Sequence, residues 1–316
     1  MLKKQNAERS ALIQKYIAER TISNGGGATS LEQLNEWIGE FMEGYNRREL
    51  TEFEGYSPEV MQRIIYHLWD DSSPIKIKKL DDGDFEAIPI YRQLIFLTDI
   101  LQKERKLKLT VTGSIPVRLL VDLYLQGVRS EFVDKEIAQK GKIRNEGECF
   151  SVGLIHFIAK TLKVVKVQKN IMTLTKNGEK LLKDKQTLLE MLVKFFTTRL
   201  DFAISDGYDS KDAGTFGNGF SLILLSKYGD NEQSYKFYAE KYYRVFPMFL
   251  EDFSDYLNTS AQDRAANCYK KRIIEMCFEN LGFVEKKDVG NWIDPDKDTL
   301  IKKTPLFDKL FEIVKP

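Results

Sequence analysis

Leu162-Lys163-Val164-Val165-Lys166-Val167, Lys169-Asn170 and Ile171-Met172-Thr173-Leu174-Thr175-Lys176-Asn177-Gly178-Glu179-Lys180-Leu181-Leu182 read in order as strand, turn, strand and helix. The spacing predicts a short hairpin, Val164 to Val167 against Ile171 to Thr175, turning at Lys169-Asn170, with a helix after it. The closing part of this stretch has two counterparts. One is Leu109-Thr110-Val111-Thr112-Gly113, and the other is Leu300-Ile301-Lys302-Lys303 followed by Thr304-Pro305-Leu306-Phe307. The last two copies continue alike, Glu179-Lys180-Leu181-Leu182 against Asp308-Lys309-Leu310-Phe311. They are also entered alike, through Leu162-Lys163-Val164-Val165-Lys166 and Leu281-Gly282-Phe283-Val284-Glu285. The spacing is 65 residues from Thr110 to Thr175 but 129 from Thr175 to Thr304, so a solenoid of fixed period is excluded.

Each of the last two hairpins follows an apolar helix end, Phe157-Ile158-Ala159 or Met276-Cys277-Phe278. A lone hairpin is marginal in water, and a helix packed on it supplies the missing cover. Helix, strand, turn, strand, helix is the skeleton of a winged helix. The fold expected is therefore α+β, mainly helical, with two or three winged-helix-like units built on short β-hairpins. Thr175 and Thr304 are expected to cap the following helices, with Pro305 at the first helical position.

Four regions follow from this reading. Residues 1–88 are helical, with starts at Ser30 and at Ser57-Pro58 and a break at Gly25-Gly26-Gly27. Residues 89–205 form a basic tandem winged-helix-like region. A helix from Pro89 to about Glu104 leads it, then a strand Leu107 to Val111, and a long helix after Gly178 closes it. Residues 206–219, with four glycines among their aspartates, read as a flexible loop or linker. Residues 220–316 are helical and end in a last winged-helix-like unit.

At 316 residues, 42% hydrophobic and 30% charged, the composition is that of a soluble globular chain of two or three units. No apolar run is long enough to span a bilayer, and no signal-type core follows the first residues, so no membrane role and a cytoplasmic location are expected. The three cysteines, Cys149, Cys268 and Cys277, are odd in number and widely spaced, which favours buried free thiols over a disulfide framework. Net charge is only +1, yet residues 100 to 190 carry 18 Lys/Arg against 10 Asp/Glu, leaving −7 elsewhere. A basic middle permits a nucleic-acid face, and ordinary solvated helices produce the same statistic.

The hairpins divide on this point. The second wing is short and basic, with Lys163, Lys166, Lys169 and Asn170 as candidate nucleic-acid contacts. The helix before it, Ser151 to Leu162, is mostly apolar and leaves little to read a groove. The helix before the third wing offers Lys270, Lys271 and Arg272 beside Asn267, but that wing carries Asp288, Asp294, Asp296 and Asp298 against Lys286, Lys287 and Lys297. An acidic tip repels phosphate and suits a protein partner. The aromatic run Tyr235, Phe237, Tyr238, Tyr242, Tyr243, Phe246, Phe249, Phe253 and Tyr256 reads as core first and partner surface second.

Catalytic, metal or cofactor chemistry finds no support. His67 and His156 each fall in an apolar helix without ligand spacing around them, which predicts packing roles. Gly214-Thr215-Phe216-Gly217-Asn218-Gly219 follows no strand and lacks the Lys-Ser/Thr ending of a phosphate loop. Asp70-Asp71 and Asp81-Asp82 lie in turns.

The stretch from Tyr56-Ser57-Pro58-Glu59 through Leu107-Lys108-Leu109-Thr110-Val111-Thr112-Gly113-Ser114-Ile115-Pro116 resembles an uncharacterised bacterial family, similar to the winged-helix tails of plasmid open-reading-frame-type and SEC-C-type proteins. Leu162 to Leu182 is similar to that group's second unit and Leu281 to Phe311 to its last. The Cys-x-Cys and His-Cys residues of a SEC-C motif are absent, as is a separate amino-terminal β domain. The resemblance implies fold and a bacterial setting, and it transfers no site residue. The leading expectation is a non-enzymatic binding protein, a DNA-associated regulatory or accessory factor that contacts duplex DNA through the basic middle region. The alternative is a protein-interaction scaffold whose winged helices no longer bind DNA, using the acidic third wing or the aromatic carboxy-terminal helices. An enzyme of unknown class ranks third.

Overall fold

A serine hydroxyl begins each of the second and third helices. In the computed structural model, which describes residues 2–28, 30–127, 143, 145–148, 150–290 and 298–315, α1 (Leu2–Ser23) and α2 (Leu31–Arg47) form a hairpin. The Ser30 hydroxyl accepts from the Gln33 N–H at 3.2 Å to start α2. Ser57 accepts from the Val60 N–H at 3.4 Å to start α3 (Pro58–Tyr66), with Pro58 where a missing N–H is harmless. A short strand, β1 (Ile75–Ile77), follows.

The first unit opens with α4 (Pro89–Glu104), whose buried face is Ile90, Tyr91, Leu94, Leu97 and Leu101. Strand β2 is only Leu107–Lys108. After a turn through Gly113 (φ +81°) and a 3-10 turn comes α5 (Leu120–Gly127). Helix α6 (Phe150–Thr161) precedes β3 (Val165–Gln168) and β4 (Ile171–Leu174). Lys169 and Asn170 turn the hairpin at φ +50° and +58°, the left-handed pair that a two-residue turn matching strand twist requires. The sheet order is β2-β4-β3, all antiparallel. The first copy of the sequence pattern is therefore no unit of its own. Its strand is the outer strand of the sheet whose hairpin is the second copy, with Leu109 N–H donating to Asn170 O at 2.8 Å.

Thr175 caps α7 (Lys176–Leu181) through the Gly178 N–H at 2.8 Å. Asp184 then caps a separate α8 (Lys185–Thr198), so the expected single long helix is broken at residues 182–184.

The second unit repeats the order. It has α9 (Asn218–Tyr228), β5 (Gln233–Ser234), α10 (Tyr235–Val245) and α11 (Ala261–Tyr269), the last running on as a π-helix, Lys270–Glu279. Strands β6 (Val284–Val289) and β7 (Asp298–Lys303) form the long hairpin, in sheet order β5-β7-β6. Helix α12 (Pro305–Leu310) and β8 (Phe311–Ile313) close the chain.

The two units share the hydrogen bonds at their hairpin bases. Val164 N–H donates to Ala159 O at 2.9 Å as Phe283 N–H donates to Phe278 O at 2.8 Å. Thr175 Oγ1 donates to Lys163 O at 2.6 Å and Thr304 Oγ1 to Gly282 O at 2.7 Å. Thr304 thus spends its hydroxyl on the hairpin base and not on a helix cap. The hairpin bases are offset by 119 positions (163 to 282) and the threonines by 129, so the difference is a third wing ten residues longer. Among the described residues the three copies of the pattern build two winged-helix-like units.

Strand β8 pairs antiparallel with β1, Ile75 opposite Ile313, and Tyr56 Oη donates to Val314 O at 2.7 Å. The amino-terminal region is thereby zipped to the carboxy-terminal end. One apolar core runs from Tyr56 to Phe311 through both units. The aromatic run belongs to it: Tyr235, Tyr238, Tyr242, Tyr243, Phe246 and Phe253 are buried, and only Tyr256 of that run is exposed. Among the described residues no helix is long and apolar enough to cross a membrane.

Candidate nucleic-acid interface

The core side of the first sheet is Leu107, Met172 and Val167 in register, with Val165 opposite Leu174. Alternation sends Lys108, Ile171 and Gln168, and Lys166 with Thr173, to the other face. Lys166 is exposed there, and Lys169 is exposed at the turn. Lys160, at the end of α6, and Lys163, at the hairpin base, flank them. Lys160, Lys163 and Lys166 line a shallow groove of about 530 Å³ with Val165, Val167 and Thr175. Lys163 holds this place in the left-handed region, at φ +56°, where the matching residue of the second unit is Gly282.

Among the described residues, none of Lys108, Lys160, Lys163, Lys166, Lys169, Lys176 and Lys180 has a carboxylate within ion-pairing distance, although Glu179 lies close in sequence. The second unit differs. There Lys227 and Lys241 are held by Glu54, each at 2.7 Å. Lys236 meets Asp263, Lys271 meets Glu275, and Lys286 meets Glu275 and Glu279. Lys287 pairs with Glu232, and Lys303 with Asp230 and Asp308. Among the described residues, the lysines around the first hairpin lack carboxylate partners, while most around the second are ion-paired, two of them to Glu54 of the amino-terminal region; Lys270 and Lys302 are the exceptions.

The seven candidates separate accordingly. Lys163 and Lys166 line one groove, and Lys169 is exposed at the turn of the same hairpin. Asn170 is exposed, but its amide donates to Val111 O at 3.3 Å and fastens the 110–114 turn to the wing. Lys270 stacks on the Tyr235 ring, 4.9 Å from its centroid, and Lys271 is paired. Arg272 is a correction. It is fully buried, with all five N–H donors used: two on the Asp206 carboxylate, and the others on the carbonyls of Ser210, Lys211 and Ala213. Burial works against its charge, but the Asp206 carboxylate outweighs this and raises its pKa. A guanidinium so enclosed cannot reach a phosphate. The bond also shows that the Gly/Asp-rich stretch is no free linker, since Ser210, Ala213, Gly217, Asn218 and Gly219 are all buried.

Neither helix before a wing presents a groove-reading face. Over residues 151–161 of α6 only Phe157, Lys160 and Thr161 are exposed. On the continuous helix from Ala261 to Glu279 only Gln262 and Lys271 are. In the third wing, Asp288 accepts from the Thr299 hydroxyl at 2.7 Å and Asp298 from the Ser234 hydroxyl at 2.9 Å, so both are internally engaged. Asp294, Asp296 and Lys297 lie outside the described residues.

His156 is buried in α6, with Nδ1 3.1 Å from Glu146. His67 departs from its expected packing role: it ends α3, exposed, 2.9 Å from Asp70. Cys268 and Cys277 are free and buried, and burial pushes both thiols up to about 12, which makes them poor nucleophiles. Cys149 lies outside the described residues. Among the described residues no group of His, Cys, Asp and Glu is arranged to hold a metal ion.

Topology and surface together define a mainly helical protein with two winged-helix-like units, one of them basic. Residues 86–187 match the model of the family described as the Y4jL N-terminal domain. The match spans the basic unit from the approach to α4 into the start of α8. It takes in Leu162 to Leu182 and the later part of the stretch from Tyr56 to Pro116, and it does not reach residues 56–85 or Leu281 to Phe311. No curated protein and no solved structure matches the chain.

Proposed function

We propose that the protein is a non-enzymatic, DNA-associated accessory factor that grips duplex DNA by its phosphates through the first winged-helix-like unit. The observation that carries this is the contrast in lysine pairing between two units of one topology. Exposed cations without a carboxylate partner are free to exchange condensed counterions for phosphates. The helices before the two hairpins expose few polar side chains, Lys160 and Thr161 on one and Gln262 and Lys271 on the other, too few to read a run of base edges, so the contact positions the backbone and reads little sequence. The second unit, whose lysines are mostly ion-paired and reach Glu54 and Asp84 of the amino-terminal region, braces the fold.

The test is fluorescence anisotropy of a random labelled duplex with wild type and the Lys166→Ala/Lys169→Ala variant. Weaker binding and a shallower salt dependence are expected in the variant. An unchanged affinity removes this wing from the interface. A strong preference among duplex sequences would contradict backbone-only recognition.

A further inference from the structure

The hairpin of α1 and α2 is an unfinished layer. Between Arg9 and Ser23 no residue of α1 is buried, although Leu12, Ile13, Tyr16 and Ile17 form a helical stripe. Helix α2 carries the answering stripe, Leu34, Ile38, Phe41, Met42 and Tyr45, and of its residues only Trp37 is buried. The stripes face each other, with the Tyr16 and Phe41 rings 5.5 Å apart. Two helices cover a shared seam from one side only, and an apolar stripe of this width needs a further layer.

Charge says what that layer is. Over residues 9–23, α1 carries Arg9, Lys15 and Arg20 against Glu19, while α2 carries Glu32, Glu36, Glu40 and Glu43 against Arg47. Within the hairpin these opposite helices meet at Arg20 and Glu40. A two-fold axis through the open seam places α1 of one copy beside either α1 or α2 of the other. The first choice sets like charges together. The second repeats the attraction already present inside the hairpin, twice over, as a self-complementary two-fold contact demands.

We propose that a second copy of this chain covers the hairpin, forming an antiparallel four-helix bundle in which α1 of each copy lies against α2 of the other. The bundle is the ordinary way for two helical hairpins to close one core. Nothing in it depends on the basic wing, so the dimer stands or falls apart from DNA binding.

Sedimentation equilibrium of the full-length protein across a wide loading range tests it. A mass of two chains is expected, and one chain at every concentration overturns the proposal. Lys15→Glu and Glu36→Lys, made separately, each set like charges across both symmetric contacts and are expected to weaken dimerisation about tenfold. Mixed one to one, the two variants restore opposite charges and the wild-type affinity. Far-UV circular dichroism of each variant, expected unchanged, separates lost association from lost folding. A dimer indifferent to both substitutions places the interface elsewhere and refutes the assignment to this hairpin.

Discussion

Lys163→Gly separates the two demands placed on the first hairpin base. Lys163 occupies φ +56°, and Gly282 fills the same place in the second unit at φ +79°. A side chain in the left-handed region costs about 1–2 kcal/mol. Glycine loses about 0.5–1 kcal/mol of that advantage because it orders more backbone freedom on folding. The substitution is therefore expected to stabilise by about 0.5–1 kcal/mol, which for a chain of this size raises Tm by about 1–3 °C. The Thr175 hydroxyl bond to the residue-163 carbonyl, 2.6 Å, needs no side chain and survives. Duplex affinity should fall at the same time, with the salt slope shallower by about 0.9 for the one phosphate contact removed. Thermal unfolding and anisotropy on the same preparation read both effects. A variant that is destabilised, or that keeps the wild-type salt slope, refutes the view that strain is kept here for a charge.

Other substitutions test the frame. Arg272→Met strands the buried Asp206 carboxylate and three carbonyls, and urea unfolding should show a loss of about 3–5 kcal/mol. Glu54→Gln weakens the site where Lys227, Lys241 and the Tyr228 hydroxyl converge, at a cost of about 2 kcal/mol by the same assay. Burial raises the Glu54 pKa, but those three donors outweigh it and hold the carboxyl below its usual 4.5. Its contribution is then complete above that value and lost as pH falls through the depressed one, so the gap between wild type and Glu54→Gln should close only in acid. Gly178→Ala should destabilise the first unit measurably, because an added Cβ would stand 2.1 Å from Val164 O, a backbone atom that cannot step aside.

The hairpins were legible in the sequence because their signals are local. Alternation, the Lys169-Asn170 turn, the Ser30 and Ser57 caps and the Pro89 start each depend on neighbours a few residues away, and the structure has them all. What escaped was pairing over distance. Leu107–Lys108 looks like the start of its own hairpin, yet it joins β4 some sixty residues on, and only the sheet decides that. Ile75–Ile77 meeting Phe311–Ile313 has no local signature at all. The same blindness misplaced Arg272, since an arginine on a helix is exposed by default and the partner that buries it, Asp206, lies in a stretch whose glycines suggest a loop. For the candidate interface, lysines on the second wing were readable as charge. That they have no carboxylate partner among the described residues, and that most of the second unit's lysines are paired, required the fold.

The salt dependence of duplex binding bears most directly on the phosphate-gripping wing. Wild-type protein and a variant with Lys160, Lys163, Lys166 and Lys169 changed to alanine should be titrated with a random duplex across a range of salt. Four phosphate contacts predict a slope of log affinity against log salt of about −3.6, collapsing toward zero in the variant, while Lys270→Ala/Lys271→Ala leaves it unchanged. Equal slopes for wild type and the four-lysine variant, or no duplex binding even at low salt, would contradict the account.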